Sequence, residues 1–256
     1  MSWIILLIHY FSCLFLGAGV IVSLAAHFKG DWAQELMKHL PKLKIGLWIW
    51  AGCIIILLSV LRSHYHFEDF HGNKGLWFSP LYIVVRNAFY LISLFLGLHF
   101  LKKLPSLSLI LFFVIANLFS FDWGMSLEHH WFSNLYGLIY LGSGFAAAAS
   151  VMTLLQFQEL TEKTKKDYIH LLLVGCLFWF YLQFSQFIIL WMGNLPREAV
   201  YYVKRIETYG IWWIAVMGGL KTLPIVYASL KSFNIKIVCC LVLVSYLMEL
   251  KWMVDP

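Results

Sequence analysis

The chain has 256 residues, of which 61% are hydrophobic, 18% aromatic and 12% charged, with a net charge of +6. Soluble globular domains carry about 25% charged residues, so this composition excludes a soluble enzyme, a disordered chain and a secreted disulfide scaffold. Lys and Arg lie mainly between long apolar runs and form no basic block, so no nucleic-acid partner is expected. The sequence therefore predicts an integral membrane protein.

Eight apolar segments follow one another, and most have the ~20 residues that a helix needs to cross the hydrocarbon core. Their approximate ranges are 3–25, 45–61, 80–101, 106–121, 133–155, 168–192, 209–230 and 237–252. The second and fourth are short, which a tilt or longer ends would accommodate. The first lacks a basic flank and a cleavage site, so we expect a retained helix. The expected fold is all-α: a polytopic transmembrane helical bundle that forms a single domain over residues 1–256.

The basic residues predict how these spans are oriented. The connections after odd-numbered spans carry eleven Lys and Arg, and those after even-numbered spans carry five. Because Lys and Arg concentrate in cytoplasmic connections, the odd-numbered connections are expected in the cytoplasm and both termini outside. The polar connections at 64–80, 122–133 and 193–207 then share the outer face.

Cysteines and histidines form no recognised cofactor motif. A free Cys in an apolar span packs as a small hydrophobe, and the sequence contains no CxxC or CxxCH. A membrane haem needs two facing histidines, whereas His9 and His99 are expected at different depths. Five further histidines lie in the outer connections, where a hydrated loop or a subunit contact is favoured over a metal site. They are His64, His66, His71, His129 and His130.

Four charged residues lie in or at the end of spans, where a charge costs at least ~2.5–3.5 kcal/mol on insertion scales. They are Arg86, Asp122, Lys221 and Glu249. One interpretation is a set of proton-carrying or quinone-facing groups, and the other is helix–helix salt bridges or snorkelling. The second is favoured for Lys221 and Glu249, and both remain open for Arg86 and Asp122.

The sixth span carries two further polar pairs. Asp167 and His170 are three residues apart near its start, and therefore share a helix face. Gln183 and Gln186 form a similar pair further along the span, where a buried amide must find a hydrogen-bond partner. A quinone needs such donors, an apolar slot and a nearby proton acceptor, although an ordinary helix contact would also explain each residue. The quinone-facing candidates are Gln183, Gln186, Trp179 and Trp191, with Asp122 as a possible proton acceptor.

Two long blocks resemble a known family. DWGMSLEHHWFSNLYGLIYLGSG (122–144) is similar to the DW-MSLEPHWFST-YG pattern of an NrfD-type (PsrC-like) subunit. This is the second quinone-subunit paralogue (ActF-like) of alternative complex III, the bacterial quinol:cytochrome c oxidoreductase. FWFYLQFSQFIILWMGNLPREAVYY (178–202) resembles that family's FWAYLAFSQ-LLIWYANLPEET-WY block. Lys74, Arg86, Asp167 and the WMVDP ending also match, so the resemblance covers roughly residues 60–256. His170 and His129 replace a Lys and a Pro, as in a shortened or divergent member.

The resemblance implies an NrfD-like fold and a subunit that is not catalytic alone and has no covalent cofactor. Its expected location is the bacterial inner (cytoplasmic) membrane, with both termini periplasmic. Implied partners are a paralogous NrfD-type quinone subunit, an iron–sulfur subunit, multihaem cytochrome c subunits, a terminal oxidase and lipids. The implied ligand is menaquinone or ubiquinone. Five positions carry over as proton-path candidates: Asp122, Glu128, Arg86, Asp167 and His170.

Two other functions remain open at this stage. An independent proton-coupled transporter would use the same buried charges, but transporters usually contain internal repeats, and the eight spans show no clear repeat. A purely architectural membrane anchor would need none of the charged candidates.

Overall fold

The computed structural model describes residues 3–28, 30–60, 65, 72–128, 131–156, 160–194, 196–230 and 234–255. Within these ranges the chain forms helices and no strand, which confirms the predicted all-α fold. The helices are α1 (Trp3–His27), α2 (Asp31–Met37), α3 (Leu40–Ser59), α4 (Gly72–Trp77), α5 (Pro80–Phe100), α6 (Pro105–Trp123), α7 (Tyr136–Gln156), α8 (Glu162–Gly193), α9 (Pro196–Tyr209), α10 (Ile211–Leu230) and α11 (Ile235–Val254). A 3-10 turn at Met125–Leu127 extends α6.

Eight helices of the described part are long and apolar enough to cross a membrane. They are α1, α3, α5, α6 with its 3-10 extension, α7, α8, α10 and α11. They coincide with the eight predicted spans, so the chain is a multi-pass helical bundle. The bounds differ by several residues at α3, which begins at Leu40, and at α8, which begins at Glu162 and has 32 residues. Helices suit this environment because each satisfies its backbone polar groups internally.

Local sequence signals mark where several spans begin. Pro80 is the first residue of α5, where the missing N–H costs no helical hydrogen bond. Thr161 caps α8 by accepting a hydrogen bond from Thr164 N at 3.3 Å. Asn234 caps α11 in the same way, since its Oδ1 accepts from the N of Lys236 at 2.9 Å. These caps satisfy backbone donors that a helix leaves free.

The start of α1 and the end of α11 lie at the same end of the bundle, here called the terminal end. Near this end the Tyr10 hydroxyl of α1 donates to Leu247 O of α11 at 2.8 Å. At the opposite end, His27 of α1 lies 3.3 Å from the hydroxyl of Ser106 at the start of α6. The end of α6, the start of α5 and helix α9 therefore all belong to the terminal end.

Helices α1 and α7 form the centre of the bundle and approach each other closely at two glycines. A methyl group added at Gly17 would lie 2.2 Å from the carbonyl carbon of Gly144, and one added at Gly144 would lie 2.2 Å from Cys13 O. The thiol of Cys13 donates to Tyr140 O at 3.0 Å across the same crossing. Small residues permit this contact, which is the usual way that membrane helices gain packing energy.

The connection predicted at 193–207 is largely helical. Asn194 ends α8 in the left-handed conformation (φ 44°), and Pro196 begins α9. This helix is amphipathic: Tyr201 is buried against the bundle, whereas Val200 and Val203 are exposed. Its low overall hydropathy is the reason that span prediction assigned it to a loop.

Candidate functional site

A groove of about 740 Å³ lies between α8, α9 and α10 and is the main candidate site. Its walls are mostly aromatic and aliphatic, and Trp252 of α11 contributes to its lining. All four residues proposed from sequence as quinone-facing line it: Trp179, Gln183, Gln186 and Trp191. Trp179, Gln183 and Gln186 lie on one side of α8 because their spacings of four and three residues follow the helical repeat. Trp191, five residues after Gln186, is outside this pattern. The structure therefore brings this group of candidates together.

The two glutamines of the groove are held by different partners. Gln183 is half-buried, and its Nε2 lies 3.4 Å from Glu249 Oε1. Gln186 is buried, and its Oε1 accepts a hydrogen bond of 2.7 Å from the hydroxyl of Ser133. Each amide thus has one anchored end, and the other end is left for a neighbour or a ligand.

Behind the groove lies a polar cluster of five residues, called the Lys221–Glu249 cluster. Lys221 of α10 and Glu249 of α11 form an ion pair in which both side chains are 0% exposed. Ser143 of α7 and Trp179 of α8 donate hydrogen bonds to the Glu249 carboxylate, as does Gln183. The Lys221 ammonium lies 3.3 Å from Ser143 Oγ and 3.9 Å from the centre of the Trp179 ring. Four helices therefore meet at one well-satisfied polar centre inside an apolar bundle.

Sequence reasoning did not include Lys221 or Glu249 among the site candidates. Their pairing agrees with the favoured interpretation of a helix–helix salt bridge, and burial of Lys221 excludes snorkelling. The available signal was a Lys and a Glu of opposite charge in successive spans, both within apolar sequence. Spacing alone could not have shown that the pair adjoins Gln183.

A second ion pair joins Arg86 of α5 to Asp122 of α6 at the terminal end. Arg86 Nε and Nη2 lie 3.0 and 3.1 Å from the two carboxylate oxygens of Asp122. Trp77 Nε1 and the Tyr90 hydroxyl donate to the same carboxylate at 3.0 and 2.8 Å. Asp122 is 2% exposed and Arg86 is 13% exposed. Four donors thus occupy both oxygens of Asp122, which is the arrangement of a structural anchor.

Glu128, the next proton-path candidate, also pairs with arginine. Arg205 of α9 is buried, and its Nη1 lies 3.0 Å from Glu128 Oε1. Its Nε donates to Trp252 O at 2.6 Å, and its guanidinium lies 3.5 Å from the centre of the Tyr201 ring. Burial raises the pKa of Tyr201 to about 12, although the Arg205 charge opposes that shift. This cluster fastens α9 and the end of α11 to the segment that follows α6.

Asp167 and His170 lie at the opposite end, on the first turns of α8. Asp167 is half-buried and forms no salt bridge with a described residue, and His170 is exposed. His170 lines a separate groove of about 480 Å³ with Lys165, Lys166 and Tyr227. The five proton-path candidates are therefore divided between the two ends, and the structure does not join them in one chain of contacts.

The remaining histidine predictions have different outcomes. His9 is buried, and its Nε2 lies 3.1 Å from Trp123 O, whereas His99 is exposed and stacks on Phe95. The outer histidines and the side chain of Lys74 lie outside the described residues. Among the described residues, no group of three His, Cys, Asp or Glu side chains is placed to hold a metal ion.

Comparison of the sequence with models of known protein families and with curated proteins finds no match.

Proposed function

We propose that this chain is an integral membrane subunit of a respiratory quinol:cytochrome c oxidoreductase that resembles alternative complex III. The observation that carries the proposal is the convergence of Trp179, Gln183, Gln186 and Trp191 on one groove. Its volume of about 740 Å³ falls within the ~300–1,000 Å³ range of small-molecule sites. An apolar slot with two amides suits a quinone headgroup and the beginning of its isoprenoid tail.

In this proposal the chain supplies binding and support, and the electron-transfer cofactors belong to its partners. Those partners are a paralogous NrfD-type subunit, an iron–sulfur subunit, multihaem cytochrome c subunits and a terminal oxidase. The quinone is menaquinone or ubiquinone, and the membrane is the bacterial inner membrane with both termini periplasmic. The distribution of Lys and Arg between the two sets of connections supports this orientation.

A proton-conducting role is proposed for the same chain, along its ionisable residues. Ionisable pairs inside membrane spans are typical of proton and ion pathways. Asp167 and His170 lie toward one end of such a route, and Glu128 lies near the other. Asp122 is less suited to this role because Arg86, Trp77 and Tyr90 occupy its oxygens.

One observation favours a second candidate function, an independent proton-coupled transporter. The buried Lys221–Glu249 pair lies beside a groove that a substrate could enter, which is a combination that secondary transporters also use. Copurification separates the two candidates, since a transporter has no need of cytochrome partners.

The test is purification of the tagged chain from its native membrane in mild detergent. We expect multihaem cytochrome and iron–sulfur subunits to copurify and the preparation to reduce cytochrome c with added quinol. A chain that is isolated intact and alone would contradict the proposed complex and favour the transporter.

Filling the groove tests the role of that site within the complex. Ala199 lies on the α9 wall, and Ala199→Trp should lower quinol-dependent cytochrome c reduction several-fold without releasing any subunit. The matched control is Ser185→Ala, since Ser185 is on α8 outside the groove lining and its hydroxyl donates only to Tyr181 O at 2.7 Å. Equal turnover in both variants would show that the quinone does not bind in this groove.

A further inference from the structure

The Lys221–Glu249 cluster determines which end of the Gln183 amide is left for a ligand. The Glu249 carboxylate accepts from the Nε2 end of Gln183, as it does from Lys221. Among the described residues, nothing donates to Gln183 Oε1. Gln183 lines the groove, and this oxygen is therefore an acceptor that a ligand can use.

In Gln186 the amide oxygen is the end that already has a partner, whereas in Gln183 it is the amide nitrogen. Ser133 Oγ accepts from the backbone N of Leu135 at 3.2 Å, and its own proton goes to Gln186 Oε1 at 2.7 Å. The Nε2 end of Gln186 then carries two protons, of which one is directed at the neighbouring Tyr202 hydroxyl and the other is left for a ligand. One turn of α8 thus offers the groove one acceptor, at Gln183, and one donor, at Gln186.

We propose that the groove selects the hydroquinone form of its ligand over the quinone form, and that Glu249 is the positioning residue that sets this preference. A hydroquinone hydroxyl donates to Gln183 Oε1 and accepts from Gln186 Nε2. A quinone carbonyl can accept from Gln186 but meets the Gln183 oxygen with no proton between the two acceptors. The quinone form therefore leaves a desolvated acceptor without a partner.

This inference rests on the proposed quinone-facing groove and adds the redox state that the groove prefers. It involves binding only, with no electron transfer in the step described. One net hydrogen bond of about 1.4 kcal/mol corresponds to a factor of ten in affinity. We therefore expect about tenfold tighter binding of the hydroquinone.

The experiment is competition for a site-specific label on the purified full chain, with any copurified haems reduced beforehand. The probe is a decylphenol with a diazirine on its tail, and labelled peptides that cover residues 178–192 are quantified by mass spectrometry. The competitors are decyl-ubiquinol, decyl-ubiquinone and the 1,4-dimethyl ether of decyl-ubiquinol. The ether keeps the ring and tail of the hydroquinone but cannot donate. We expect half-maximal protection by the quinol at a concentration about tenfold below that of the quinone and of the ether.

Variants then test the origin of the preference. Gln183→Leu should bring the quinol to the level of the ether, whereas the control Ser185→Ala should retain the tenfold difference. The double variant Lys221→Met with Glu249→Gln keeps the cluster neutral but lets the Gln183 amide rotate so that either end can face the groove. The ratio between protection by the quinol and by the quinone should then fall to less than about threefold. A merely structural Glu249 would leave that ratio unchanged.

The outcomes separate the inference from the proposed function. If the three competitors protect the wild-type groove equally, the redox preference is wrong and the quinone-facing groove stands. If none of them reduces labelling at residues 178–192, the proposed quinone site itself is wrong. If a variant fails to fold, the comparison between quinol and ether on the wild-type protein still tests the preference for the hydroquinone form.

Discussion

Lys221 and Glu249 form an ion pair between neighbouring helices, and neither side chain has any exposed surface. Helix α10 is otherwise poorly enclosed, since only 17% of its apolar stretch is buried in the structure. Bonds from this pair to Ser143 of α7 and Trp179 of α8 therefore fasten α10 to the bundle. The pair is also the support of the groove, because α10 forms one groove wall.

Neutralising one member of this pair should destabilise the fold. Glu249→Gln leaves the Lys221 charge buried without a counter-ion, and breaking such a pair costs about 3–5 kcal/mol. The double variant Lys221→Met with Glu249→Gln should recover most of that free energy of unfolding. Unfolding by sodium dodecyl sulfate in mixed micelles measures it, with the exposed Lys166→Met as control. A single variant as stable as the wild type would show that the pair contributes little.

Asp122 should behave as an anchor rather than a proton carrier. Asp122→Asn removes the charge that holds Arg86, so the thermal midpoint of the purified protein should fall. Quinol-dependent turnover per folded molecule should change less than about twofold, because the four donors already occupy the carboxylate. A large loss of turnover at unchanged stability would instead support the proton-path assignment. Arg86→Gln combined with Asp122→Asn should restore part of the stability.

The contact between α1 and α7 should not tolerate a methyl group. Gly144→Ala would place its Cβ 2.2 Å from Cys13 O, so the helices must separate, at an expected cost of about 1–3 kcal/mol. The matched control is Gly52→Ala within α3, where an added Cβ meets nothing within 4 Å. That control should be neutral or slightly stabilising, since Ala favours a helix over Gly. Equal unfolding curves for both variants would argue against the close crossing.

Arg205 should be irreplaceable by lysine. The guanidinium bonds to Trp252 O and Glu128 and lies over the Tyr201 ring, a geometry that an ammonium group cannot reproduce. Arg205→Lys should therefore loosen α9 and increase proteolytic cleavage around residues 194–210. The adjacent Lys204→Met is the control, because Lys204 is half-exposed and its 3.7 Å contact with Glu128 contributes little. Cleavage at the same rate in both variants would contradict this role.

His39 should make stability depend on pH. It precedes α3 outside the spans, and burial lowers its pKa from 6.5, with Lys42 acting in the same direction. Since the pKa of His39 is lower in the folded state than in the unfolded state, the unfolded state binds more protons at pH values between the two. Stability is therefore full above about pH 6.5 and falls as the pH drops below it. His39→Gln should reduce this slope in thermal midpoints measured from pH 7.5 to 5.

The spans were predictable because lipid imposes a simple rule on length and hydropathy. All eight predicted segments correspond to helices, and the largest errors concern the ends. Helix α9 was not predicted, since the apolar run in its sequence PREAVYYVKRIETY is only the five residues AVYYV, far too short for a span. Such a helix gains its stability from an interface and from Arg205, which hydropathy does not register.

The residues that line the groove from α8 could also be predicted from the sequence, because they belong to a single helix. Trp179, Gln183 and Gln186 belong to one helix, and their spacings of four and three residues place them near one face. The spacing of Trp191 does not place it there. The Lys221–Glu249 cluster was not predictable, because it joins residues from four helices whose relative rotation no spacing reveals. Side-chain pairing between helices is a property of the assembled bundle.

The length of α8 has a mechanical consequence. A helix of 32 residues measures about 48 Å, whereas the hydrocarbon core is about 30 Å thick. The helix is therefore longer than the hydrocarbon core is thick, and it carries Asp167 and His170 on the same continuous rod as Gln183 and Gln186. A displacement of the first turns of α8 would therefore be carried to the groove lining, because one continuous helix connects the two regions.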